Sequence, residues 1–114
     1  MSSFGIASCG DVTIPNGSAA SPAIKWREQY EDALDITIFV PSALNGLTGL
    51  KIQVTPDPDA AAPVWYDLNS ATLPAAGLAQ TFSIVAKGFR IFSTANATAD
   101  TTFKIQKRFP MYGD

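Results

Sequence analysis

Histidine is absent from the chain, and cysteine occurs once, as Cys9. Without an imidazole there is no Ser-His-Asp or Cys-His catalysis, no histidine metal ligand and no side chain whose ordinary pKa lies near neutrality. A single thiol closes no intrachain disulfide and builds no cysteine-rich zinc site, so Cys9 reads as a small apolar residue in a reduced setting. Charge is scarce as well. Asp, Glu, Lys and Arg make up 16% of the residues against a usual quarter, and ten acids against eight bases leave a net charge of −2. That balance offers no field for a phosphate backbone, so no nucleic-acid partner is expected. No apolar stretch approaches the roughly twenty residues of a membrane span, and the N-terminal segment has neither the basic start nor the continuous apolar run of a secretory signal. No membrane partner is expected, and synthesis in a cytoplasm is. The Asn-x-Ser/Thr triplets at Asn16 and Asn96 then read as polar turns.

A chain of 114 residues, 46% hydrophobic with eight Gly and eight Pro, is enough for one core. Its pattern is alternation. Leu34, Ile36, Ile38 and Val40 fall on one face of a run that ends at Pro41; Leu50, Ile52 and Val54 do so before Pro56, with Lys51, Gln53 and Thr55 outward; Phe103 and Ile105 do so within Thr102–Lys107. A period of two with one apolar face is the signature of a half-buried antiparallel strand. Weaker runs at Asp11–Ile14, Ala23–Arg27, Val64–Leu68, Thr81–Val85 and Phe89–Ser93 fill the gaps, the last two flanking Lys87-Gly88, short enough for a hairpin turn or a bulge. Gly, Pro, Asn and Ser clusters separate them. The best helical stretch, Glu28–Ala33, is a single turn at most. About eight strands at this spacing predict an all-β fold, a single antiparallel β-sandwich of immunoglobulin-like or jelly-roll type. The sandwich is expected over residues 11–107, with an extended N-terminal arm over 1–10 and a C-terminal arm over 108–114.

Few residues suggest chemistry. The acidic group Glu28, Glu31, Asp32 and Asp35 would suit glycoside hydrolysis only if two carboxylates faced one cleft, and on a connection and an outer strand face it reads as solvated surface. Asp57-Pro58-Asp59 lacks the spacing of a calcium loop and reads as a rigid turn. No phosphate-binding loop is present, and no metal site or cofactor is expected. Trp26, Trp65 and Tyr66 would serve as a sugar-stacking platform if exposed, yet neighbours in a strand point to opposite faces, which favours packing over stacking. Phe4 and Ile6 at one end, and Arg108, Phe109, Met111 and Tyr112 at the other, are large side chains that a solvent-bound tail has no reason to carry, so they are read as assembly contacts.

The runs Glu31–Pro41, Leu44-Asn45-Gly46, Ile52–Thr55, Trp65–Leu68, Gly88–Ile91 and Thr102–Ile105 together resemble the small β-sandwich structural proteins of tailed bacteriophages, over roughly residues 11–107. The resemblance implies a non-enzymatic virion protein, made in the host cytoplasm, that decorates or cements a capsid by binding its outer surface. A tail or head–tail adaptor component is the nearest alternative, and a carbohydrate-binding adhesion module is another. The expected partners are the major capsid protein or other virion proteins, with a homo-oligomer as the acting form. Sandwich edges and extended termini add readily to a neighbour's sheet, which suits that role.

Overall fold

The computed structural model describes residues 3–26, 30 and 32–111. Among the described residues the extended elements are β1 (Ser3–Ile14), β2 (Ile24–Lys25), β3 (Asp35–Phe39), β4 (Lys51–Thr55), β5 (Tyr66–Thr72), β6 (Ala79–Phe82), β7 (Gly88–Phe92) and β8 (Thr101–Met111). They form two four-stranded sheets, in the orders β1-β8-β3-β6 and β2-β7-β4-β5, with every pairing antiparallel. The predicted β-sandwich is therefore what the chain forms. Its pairings resolve the choice of topology: β1 pairs with β8, β2 with β7, β3 with β6 and β4 with β5. A long hairpin folded at β4–β5 and wrapped so that its arms alternate between two sheets is the jelly roll.

The core lies between the sheets. Ile14, Ile36, Ile38, Phe103 and Ile105 from the first sheet meet Ile52, Phe89 and Ile91 from the second, all essentially inaccessible to solvent. Each such side chain contributes about 1.5–3 kcal/mol on burial. β-Branched residues dominate because their stiff side chains fit a pleated surface. One end is closed by aromatics: Trp26 stacks on Tyr30 at 5.2 Å, and both meet the edge or face of Phe89 at 5.9 and 5.5 Å. Buried Tyr30 hydrogen-bonds Cys9, and burial pushes both groups toward the protonated form.

Four local expectations change. Lys87-Gly88 does not turn a hairpin, because β6 and β7 belong to different sheets and residues 83–87 cross between them, with Ile84 buried on the way. Leu34 is exposed and not inward: β3 begins one residue later, and Leu34 sits at the rim with its N–H donating to the Arg108 carbonyl at 2.8 Å. Gln53 and Thr55 point outward as expected yet are buried, Gln53 beneath a polar network and Thr55 near Pro58, which also lies against Gly88. The arms are the largest change. β1 runs unbroken from Ser3 through the expected boundary at residue 10, and β8 runs on to Met111, because a jelly roll pairs its first strand with its last. A bulge between Ser8 and Asp11, with Gly10 at φ +88°, hides this continuity in the sequence. It inserts one residue, so Cys9 and Val12 both face inward and the alternation changes phase. Of the expected helical turn, residues 28, 29 and 31 lie outside the described residues, as does Tyr112 of the expected contacts.

Candidate functional site

Beyond the sandwich the two terminal strands continue as a ribbon. β3 accompanies β8 only as far as Asp35 opposite Arg108, whereas β1 and β8 stay paired to Ser3 opposite Met111. Directly paired residues share a face. Phe4, Pro110, Ile6 and Arg108 therefore lie on the outer side; Gly5, Phe109, Ala7, Lys107 and Met111 lie on the side continuous with the core. Phe109 covers Gly5 so closely that a Cβ there would lie 2.5 Å from its ring. Both sides are open toward the tip: Phe4 and Ile6 on the outer side are 55% and 65% exposed, and Met111 on the other side is 47% exposed. Of the expected contacts, the fold thus gathers Phe4, Ile6, Arg108, Phe109 and Met111 into one projecting element.

Arg108 fixes where the ribbon leaves the sheet. Its Nε and Nη2 donate to the two Asp35 carboxylate oxygens at 3.1 and 2.8 Å, and its guanidinium lies over the Phe4 ring at 4.7 Å. The Asp35 carboxylate raises the guanidinium pKa. On the other side Lys107 pairs with Asp32 and holds that carboxyl below its ordinary value. Asp32 and Asp35 are thus tied to separate bases on opposite faces of β8, so they do not form a catalytic pair; Glu28 and Glu31 lie outside the described residues. A shallow groove of about 320 Å³ runs over the outer face between Ile6, Arg108, Asp35, Gln106, Thr37 and Thr81, and the Thr37 and Thr81 hydroxyls bond each other at 2.8 Å across β3 and β6.

The edges differ in how they are protected. β2 has two residues and β6 four, while β5 is distorted by a register shift and by Ser70 at φ +62°. β1 offers twelve residues, and from Ser3 to Gly10 it carries no charge and no proline. Long uncharged edges of this kind recruit further strands.

The aromatic candidates separate. Trp26 belongs to the packed end cluster. Neither Trp65 nor Tyr66 enters the core: Tyr66 opens edge strand β5 and is 56% exposed, and Trp65 is half-buried with the Arg90 guanidinium 4.4 Å from its centroid. Of the Asp57-Pro58-Asp59 segment, Asp59 pairs with Lys25 at 2.7 Å, and no group of three or more metal-ligating side chains occurs among the described residues. A polar cluster on the outer face of the second sheet went unseen in the sequence. Lys51 and Gln53 from β4, Asp67 from β5 and Arg90 and Phe92 from β7 meet there with Trp65. Its signal lay in Phe89-Arg90-Ile91-Phe92, where inward Phe89 and Ile91 place Arg90 and Phe92 outward beside Lys51 and Gln53.

No protein-family model matches the chain, and no curated protein matches it. Among solved structures, the family 32 carbohydrate-binding module from C. perfringens NanJ, determined in complex with galactose, is similar over 93% of each chain, with 11% sequence identity and a TM-score of 0.42.

Proposed function

We propose that the chain is a non-enzymatic structural virion protein of the capsid decoration or cement kind, seated on the outer surface of a shell as a symmetric oligomer and holding neighbouring subunits through the β1–β8 ribbon. One observation carries the reading: the paired termini project beyond the sandwich with Phe4, Ile6 and Met111 exposed. Full burial of such side chains contributes about 1.5–3 kcal/mol each. With roughly half of each already covered, docking the ribbon adds about 3 kcal/mol per subunit, which repeats over every copy in a lattice. The uncharged β1 edge supplies backbone hydrogen bonds beside it. Jelly rolls occur in capsid and lectin domains alike, so the fold alone does not choose between shell and sugar. The ribbon favours the shell, because sugar stacking calls for an open aromatic face and Arg90 already occupies one on Trp65.

The test is the triple variant Phe4→Ser, Ile6→Ser, Met111→Ser, added to shells assembled without the protein. The parent is expected to co-sediment with the shells and raise their heat stability. The variant is expected to keep the parent's far-UV spectrum and to remain in the supernatant. A variant that binds and protects shells as the parent does would overturn the proposal.

A further inference from the structure

We infer that the outer face of the β2-β7-β4-β5 sheet holds a second binding site, centred on Arg90, for a single carboxylate presented by an acidic side chain of a partner protein. It is independent of the ribbon, which belongs to the other sheet. Arg90 is held in one orientation. Its Nε donates to Gln53 Oε1 at 2.8 Å, Gln53 Nε2 donates to Asp67 Oδ1 at 2.9 Å, and Lys51 Nζ fixes the other Asp67 oxygen at 2.8 Å. The guanidinium lies against two rings, 4.4 Å from the Trp65 centroid and 5.3 Å from that of Phe92. Lys51 and Asp67 neutralise each other, whereas no carboxylate lies within ion-pair distance of Arg90 among the described residues. Partial burial holds its pKa below the ordinary guanidinium value, as befits a charge losing water without gaining an acid.

The free valence of the site follows from these bonds. With Nε engaged, the two terminal nitrogens remain as a planar donor pair, the fork that carboxylates accept in bidentate fashion. The cluster's net charge is one positive unit, which matches a monoanion; a phosphate dianion would leave negative charge beside Asp67. Partly desolvated arginine backed by tryptophan is the composition of protein-interface hot spots. A uronic acid sugar carries the same carboxylate but also needs a ring face to stack on, and Arg90 lies over Trp65.

Nuclear magnetic resonance titration of the full chain tests this, reading the Arg90 Nε–H and Trp65 indole N–H signals. The probes are glutamate blocked at both its α-amino and α-carboxyl groups, glucuronate, inorganic phosphate, and sodium chloride at matched ionic strength. Blocked glutamate is expected to shift both signals saturably, in the millimolar range for one such contact. In Arg90→Gln the Trp65 response should weaken about tenfold or more, and Arg90→Lys, which keeps the charge without the fork, should fall between the two. Shifts no larger than those of chloride, an unchanged response in both variants, or tighter binding of phosphate or glucuronate than of blocked glutamate would each overturn the inference.

Discussion

Substituting Gly5 by alanine separates the stability of the sandwich from that of the ribbon. An ideal Cβ at Gly5 would lie 2.5 and 2.9 Å from Phe109 Cζ and Cε2 and 3.0 Å from Met111 Sδ. All three are far ends of side chains, so the ring and the thioether swing away while the backbone stays. Two cross-strand contacts are then weakened, each about 0.2–1 kcal/mol. Against this, alanine restricts the unfolded chain and recovers roughly 0.5–1 kcal/mol. The terms nearly cancel in global stability, and the melting temperature should move by only a few degrees at about 4 °C per kcal/mol. The ribbon is closed by fewer contacts, because beyond Arg108 its two strands have only each other on the β3 side, so the two weakened contacts are a larger share of what holds it. A two-stranded ribbon without further support is marginal, and losing about 1 kcal/mol there raises its opening roughly fivefold. Amide hydrogen exchange reads the difference. The β8-facing amides between Phe4 and Ile6 should exchange about fivefold faster, while those of Ile36, Ile52 and Ile91 keep their protection. If ribbon protection is unchanged, or if global stability falls by more than about 3 kcal/mol, the ribbon is not the separately held element described above. Shell binding by this variant should fall further than its melting temperature would suggest.

Phe89→Ala removes the side chain that joins the aromatic end cluster to the core and should cost about 3–5 kcal/mol in urea or heat denaturation. That is a large share of the roughly 6–17 kcal/mol expected of a chain this long, and a loss under about 1 kcal/mol would mean the cluster with Trp26 and Tyr30 is not packed as described. Alkaline pH should destabilise the fold from about pH 9 upward: burial raises the pKa values of Cys9 and Tyr30 above their ordinary 9.0 and 10.0, so the folded state retains protons that the unfolded chain releases. Stability is complete below those ordinary values and declines above them, and Tyr30→Phe combined with Cys9→Ala should flatten the alkaline limb of a pH–melting curve; an unchanged limb would refute the burial of the pair.

The sandwich was legible because burial of one face writes a period of two into the chain. Leu34–Val40, Leu50–Thr55 and Thr102–Lys107 needed no more than that, and β3, β4 and β8 lie on them. What alternation does not carry is partnership. That β6 pairs with β3 and β7 with β4 depends on the wrapping of the whole hairpin, so two adjacent runs around Lys87-Gly88 imitated a local turn. Outward residues also say nothing of what they share until the sheet aligns them, which is why Lys51, Gln53, Asp67 and Arg90 showed no relation in sequence though they form one network.

The ribbon shows why terminal segments are the hardest to read and what signal they hold. In the sequence, Phe109 and Met111 read as apolar side chains in need of cover from another molecule. Part of that cover comes from the chain's own other end. Phe109 stands opposite Gly5 in β1, and the missing side chain is what lets the ring lie down. Gly10 performs a different task a few residues later, where its positive φ turns the bulge and changes the phase of the strand. Two glycines in one strand thus erased the alternation that would have extended β1 to Ser3. One makes room for an aromatic partner, and the other reverses which residues face the core. Phe4 and Ile6 fit neither arrangement. They lie on the outer side, more than half exposed after the strands have paired, which is why the proposed contact with a neighbour rests on them and on Met111 at the tip, and not on the whole arm.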